Sequence, residues 1–249
     1  MPDALYPSTT TILQLMQPQG EIGSAAALPA GLNVTLDQQR AVSHDVNMTA
    51  MLLALGLKER MAGYTGISGW KTLDPSMRAQ LNGLPELAAR YPSLENLLDA
   101  GTDFVFAGWN YGMRIGGEVT PASLARFGIP VYELSESCAH IMPGRVASLD
   151  DVYTDLRNLG RIFAVEERAE ALVQGMQARV AAVQARLGEV PARPRVFVYD
   201  SGEDLPFSAG RQGMPQSLIA AAAQTGRNAT QRRLTETIGT VGATQVRFL

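Results

Sequence analysis

The chain has 249 residues, 46% of them hydrophobic, and a net charge of −3. That content supports a substantial core and one large or two modest domains. Acids and bases are mixed throughout, which excludes a nucleic-acid footprint and a basic membrane-surface patch. Cys138 is the single cysteine, so an internal disulfide is excluded. No stretch approaches the ~18 uninterrupted apolar residues of a membrane-spanning helix.

Residues 1–40 are punctuated by Pro, Gly, Thr and Gln, and only 9–16 has strand or helix character. The opening twenty lack a basic and then an apolar region, so no signal peptide is expected in the sequence as given. A strand is predicted to end at His44, followed by a helix over 48–55 that Asp45 or Asn47 caps and Gly56 closes. A short strand over 61–64 leads to a loop carrying Trp70. Helices are predicted over 76–81 and 93–100. The buried strand DFVFA at 103–107 runs into Gly108, Trp109, Asn110, Tyr111 and Gly112. A helix over 121–127 with Pro at its start precedes a strand over 129–134, which empties into Ser135, Glu136, Ser137 and Cys138. Strand, loop, helix and strand at this spacing predict βα units and a parallel sheet.

Residues 148–187 carry an apolar pattern at helical spacing without proline, and Ser148 with Asp151 reads as an N-cap and its acidic partner. Forty helical residues would span roughly 60 Å. The apolar pattern slips near Ala164 and Val165, where a break is expected. The pairs Asp150–Asp151 and Glu166–Glu167 read as a solvated face near helix N-termini. After this helix a strand over 195–199 empties into Asp200, Ser201, Gly202 and Glu203, with Phe207 and Arg211 behind. A helix over 214–223 follows, then a tail with no clear period. The predicted organisation is α/β: an N-terminal lobe at 1–147, a linking helix at 148–188, and a partial C-terminal lobe at 189–249.

In open parallel sheets ligands gather outside the C-terminal ends of the strands. Those ends here carry Tyr64, Trp70, Trp109, Asn110, Tyr111, Glu136, Asp200, Glu203, Phe207 and Arg211. Aromatic rings with a few polar handles suit a mostly apolar ligand; packing of Trp70 and Trp109 against the sheet is the plainer alternative. Arg114, Arg145 and Arg211 are available to an anionic ligand. No phosphate-binding loop, nucleophile elbow or dinucleotide fingerprint is present. His44 is either a metal ligand joined by Glu136 and Asp200 or a loop histidine bonded to backbone, the reading favoured here. Cys138 would act as a nucleophile only with a base such as His140 beside it.

HDVNMTAMLLALGLKERMAGYTG at 44–66, YPSLENLLDAGTDFVFAGW at 91–109 and VTPASLARFGIPVY at 119–132 together resemble the N-terminal lobe of ABC-transporter solute-binding proteins for iron-siderophores, haem and vitamin B12. RVFVYDSGEDLPFSAGRQGMPQSLIAAA at 195–222 continues the likeness. The resemblance implies two Rossmann-like lobes with parallel sheets joined by a long backbone helix, with ligand between them and only a small rocking on binding. It implies a binding protein rather than an enzyme, with no cofactor, monomeric and outside the cytoplasm. Its partners would be a metal chelate or corrinoid and a membrane permease. Trp109 and Phe207 match cleft aromatics, Tyr64 falls where the vitamin B12 protein places a loop aromatic, and Glu95 matches the carboxylate that docks on the permease. The family's D-x-x-G-x-W segment and second docking glutamate are absent after Asn228, so a shortened or frame-shifted C-terminal lobe is expected. The alternatives are a metal-ion-binding protein or metal-dependent enzyme on the same scaffold, or a degenerate product that binds nothing.

Overall fold

A computed structural model describes residues 40–69, 73–187 and 212–223. At its centre lies a sheet of six strands: β1 Ala41–His44, β2 Met61–Thr65, β3 Glu86–Ala88, β4 Phe104–Trp109, β5 Gly112–Met113 and β6 Val131–Glu133. The order is β3-β2-β1-β4, and β4 also carries β6 along its middle and β5 at its C-terminal end. Every ladder between these strands is parallel. All six strands therefore end on one edge. Seven helices accompany them: α1 Asp45–Ala54, α2 Pro75–Leu81, α3 Leu94–Asp99, α4 Pro121–Ala125, α5 Leu149–Ile162, α6 Glu166–Leu187 and α7 Met214–Ala223.

Both faces of the sheet are covered, as a parallel sheet requires. Ala41, Phe104 and Phe106 point to one face, where they meet Met48 and Leu52 of α1, Leu55 at its C-cap, and Leu156, Leu159 and Ile162 of α5. Val42, Val105 and Ala107 point to the other, against Leu97 of α3 and Leu124 of α4. This alternation is the two-residue period of a strand, and it explains why DFVFA reads as one unbroken apolar run.

Helix ends follow local chemistry. Asp74, Ser93 and Thr120 each cap a helix by accepting backbone N–H groups. α1 ends with Gly56 at φ 74°, where Gly56 N–H donates to Leu53 and Leu57 N–H to Leu52. That pair of bonds satisfies the last carbonyls. At its other end the sequence expectation needs correcting. His44 occupies the N-cap without a side-chain capping bond. Asp45 and Asn47 each accept the next residue's N–H.

The linking segment is two helices. α5 stops at Phe163; Val165 N–H donates to Gly160 and Ala164 N–H to Arg161, with Ala164 in the left-handed region at φ 54°. This is the same C-terminal motif as in α1, built on alanine instead of glycine. α6 then packs back on α5. A Cβ on Gly160 would lie 2.5 Å from that of Ala169, so the missing side chain is what lets the helices approach. Arg60 holds the corner, with Nη1 donating to Phe163 O at 2.7 Å and its guanidinium over the Phe163 ring. α7 docks beside these helices, with Ser217 Oγ accepting Leu149 N–H. Of the acidic pairs, Glu166 and Glu167 are exposed in the first turn of α6, as expected. Asp150 is exposed, but Asp151 is buried. It accepts Ser148 N–H at 2.8 Å and pairs with Arg145 at 2.7 Å.

The expected strand at 195–199 lies outside the described residues; of the expected C-terminal lobe, residues 212–223 are described.

Candidate functional site

The C-terminal edge of the sheet is the natural place to look, since loops there lack ladder partners and can turn side chains outward. β1 ends in His44, a buried imidazole whose Nδ1 shares a hydrogen bond of 2.8 Å with Thr65 Oγ1 at the end of β2. Two glycines leave room for the ring. A Cβ at Gly66 would sit 2.2 Å from His44 Cε1, and one at Gly112 would sit 2.8 Å from His44 Cβ. Among the described residues no three Asp, Glu, His or Cys side chains form a metal-holding group. His44 is held at the end of β1 by the Thr65 side chain.

β4 runs into a tight turn. Gly108 N–H donates to Tyr111 O at 2.6 Å and Tyr111 N–H to Gly108 O at 2.9 Å, placing Trp109 and Asn110 at the tip. Asn110 takes the left-handed conformation at φ 62°, which asparagine tolerates better than most residues. Trp109 is half-buried against the α3–α4 face of the sheet, and its indole N–H donates to Glu133 at 2.5 Å. Its backbone N–H donates to Ser137 Oγ at 2.9 Å. Packing against the sheet, the plainer of the two expectations, is therefore realised for Trp109, which stays partly exposed. Tyr111 packs on the opposite face and approaches the His140 ring at 5.9 Å.

The loop after β3 brings in Tyr91, which nothing in the sequence pattern marked. Its ring lies 5.2 Å from that of His44, and its hydroxyl donates to Asn110 O at 2.6 Å. Arg114, just past β5, sets its guanidinium 4.1 Å over the Tyr91 ring. Three loops from different strands thus meet.

The loop after β6 is a 3-10 turn, Ser135–His140. Its base is fixed from below: Asp155 of α5 accepts Ser135 N–H at 3.1 Å, Ser135 Oγ at 2.5 Å and Tyr132 O–H at 2.8 Å. Burial pushes the Asp155 carboxyl up to about 7, against these bonds that favour its charge. Burial also raises Glu133 and Glu136, the latter with help from the charges of Asp151 and Asp45. Cys138 is buried and its thiol is pushed up to about 11, chiefly by burial and then by Glu133. It is a packed thiol and not an activated nucleophile. Arg145, expected as available to an anion, is committed to Asp151 and to the Ser135 carbonyl.

Tyr64 is placed differently from expectation. It lies inside β2, paired with Ser43 and Glu86, and burial with the Glu86 charge raises its phenol. Glu95 is exposed on the first turn of α3, behind the Ser93 cap, as the sequence suggested. Trp70, Asp200, Glu203, Phe207 and Arg211 lie outside the described residues. No helix among the described residues is long and apolar enough to cross a membrane.

The same architecture occurs in a periplasmic binding protein from Veillonella parvula DSM 2008. That match has 26% identity and a TM-score of 0.64, over 74% of this chain and 59% of that one. It also occurs in an ABC-type Fe3+-hydroxamate transport system from Saccharomonospora viridis DSM 43017. There the identity is 25% and the TM-score 0.59, over 78% of this chain and 66% of that one. A periplasmic haem-binding protein from Roseiflexus sp. RS-1 shares the fold at 22% identity and a TM-score of 0.56, over 79% of this chain and 67% of that one. The chain thus spans 59% and 66% of the length of the first two structures. None of the curated proteins matches it by sequence. The periplasmic binding protein family model matches residues 42–238, most of the chain and nearly all of its parallel sheet, and the chain belongs to that family.

Proposed function

We propose that this protein is the ligand-capturing component of an ABC importer for an iron-siderophore, haem or cobalamin-type molecule, working outside the cytoplasm. The observation that carries this reading is the meeting of Tyr91, Asn110 and Arg114, with Trp109 and Tyr111 in the same turn, where the parallel strands end. Rings supply contact area, and carbonyl, carboxylate and guanidinium groups orient a large, partly polar ligand. Trp70, Asp200, Glu203, Phe207 and Arg211 would complete the site, the last four from across a cleft between two lobes. Exposed Glu95 would dock the loaded protein on arginines of the permease. No chemistry on the ligand is needed for this role, and a raised thiol at Cys138 supplies none.

The test is a titration of the full chain with ferric hydroxamates, haem and cobalamins, followed by tryptophan emission. Saturable quenching by a member of one class is expected. Flat emission across all three, on protein that melts cooperatively, would overturn the reading.

A further inference from the structure

We propose that Arg114 reads the charge of the ligand, so that this face prefers a carboxylate-bearing chelate to a neutral one of the same shape. The inference rests on the reading of the strand ends as the ligand face. Its basis is a layered stack that runs from the core to solvent. At the bottom the backbones of Gly66 and Gly112 close on His44. The Tyr91 ring meets the His44 ring at 5.2 Å with a 39° tilt and is fixed from the side by its bond to Asn110 O. Arg114, exposed, lies on Tyr91.

Arg114 Cζ lies 4.1 Å from the Tyr91 ring centroid, a separation at which a guanidinium can lie flat on the ring. The N–H donors of a guanidinium lie in its plane, so stacking leaves them directed outward. A carboxylate accepts two of them in parallel, which a neutral ester or amide cannot match. No carboxylate among the described residues already occupies Arg114. Arg145 is committed to Asp151 and Arg157 to Glu170. Glu118, the acid nearest in sequence to Arg114, accepts Leu94 N–H at the start of α3. A cation oriented in advance and left without an internal partner at a ligand-facing edge costs little to engage, because its side-chain freedom is already restricted.

The experiment compares the full chain with Arg114→Gln and Arg114→Lys on two matched pairs. One is haem and its dimethyl ester. The other is iron-loaded desferrioxamine B whose amine has been either succinylated or acetylated. The quantity read is the ratio of Kd for the neutral member to Kd for the anionic member. For the pair that binds, the unaltered chain should favour the carboxylate by about tenfold or more. Arg114→Gln should bring the ratio near one by weakening the anionic member more than the neutral one. Arg114→Lys should restore part of it. An unchanged ratio in Arg114→Gln, or equal weakening of both members, overturns the inference while ligand capture stands. An unaltered chain that binds neither pair overturns the inference together with its ligand-face premise for these two ligand classes.

Discussion

Asp155 ties a helix to the edge where ligand would sit. It is 1% exposed, and its carboxylate accepts from Tyr132 and from both the backbone and hydroxyl of Ser135, while Asn158 donates to the Tyr132 hydroxyl at 2.9 Å. Burial raises its pKa to about 7. In the unfolded chain an aspartate titrates at about 3.9. Between those values the folded chain keeps a proton that the unfolded chain has lost. The stability this group adds is complete below about pH 4 and is lost as pH rises through about 7, by up to about tenfold in the folding constant per pH unit. Glu133 and Glu136 are shifted in the same direction, so a comparison with Asp155→Asn isolates the group. Melting curves from pH 4 to pH 7 should show the wild type losing stability relative to Asp155→Asn. A difference that does not change with pH would contradict this account of Asp155.

At the scale of the element, the corner between α5 and α6 decides how the linking segment is built. Ala164 holds the left-handed conformation there. An L-residue with a Cβ pays roughly 1–2 kcal/mol for that conformation, and glycine escapes most of it. Ala164→Gly should therefore stabilise the chain by about 1 kcal/mol, read as a Tm higher by a few degrees; no change or a fall would refute the strain assignment. The slip in apolar phase at this point was legible in sequence, because two helices with separate core faces cannot share one period. Its geometry was not, because no glycine marks it. The same holds for the acidic pair on α5. Neighbours in sequence lie about 100° apart around a helix, so one text, Asp150-Asp151, describes an exposed and a buried carboxylate. β1, β2, β4 and β6 were legible from apolar runs that end in polar loops. β3 and β5, with three and two residues, carry no period to detect. Tyr91 escaped for another reason: its role comes from His44, Asn110 and Arg114, which are remote from it in sequence and reach it through the sheet.

For the whole molecule, parallel pairing does most of the functional work. It sends every strand of the described sheet out at one edge, and the loops leaving that edge interlock through Thr65, Tyr91, Asn110, Arg114 and Ser137. At the opposite edge the charged contacts tie strand starts to neighbouring elements: Arg40 N–H donates to Asp103, and Arg60 lies over the Phe163 ring. The central claim is that the C-terminal edge is the ligand face, and hydrogen exchange tests it directly. With a chelate or corrinoid that quenches tryptophan emission, backbone amides should gain protection around residues 65–69, 89–92, 109–114 and 133–138. Amides at the start of the strands, around 40–42 and 103–105, should not change. Protection confined to the strand starts, or saturable binding with no protection in the four loop segments, would contradict it.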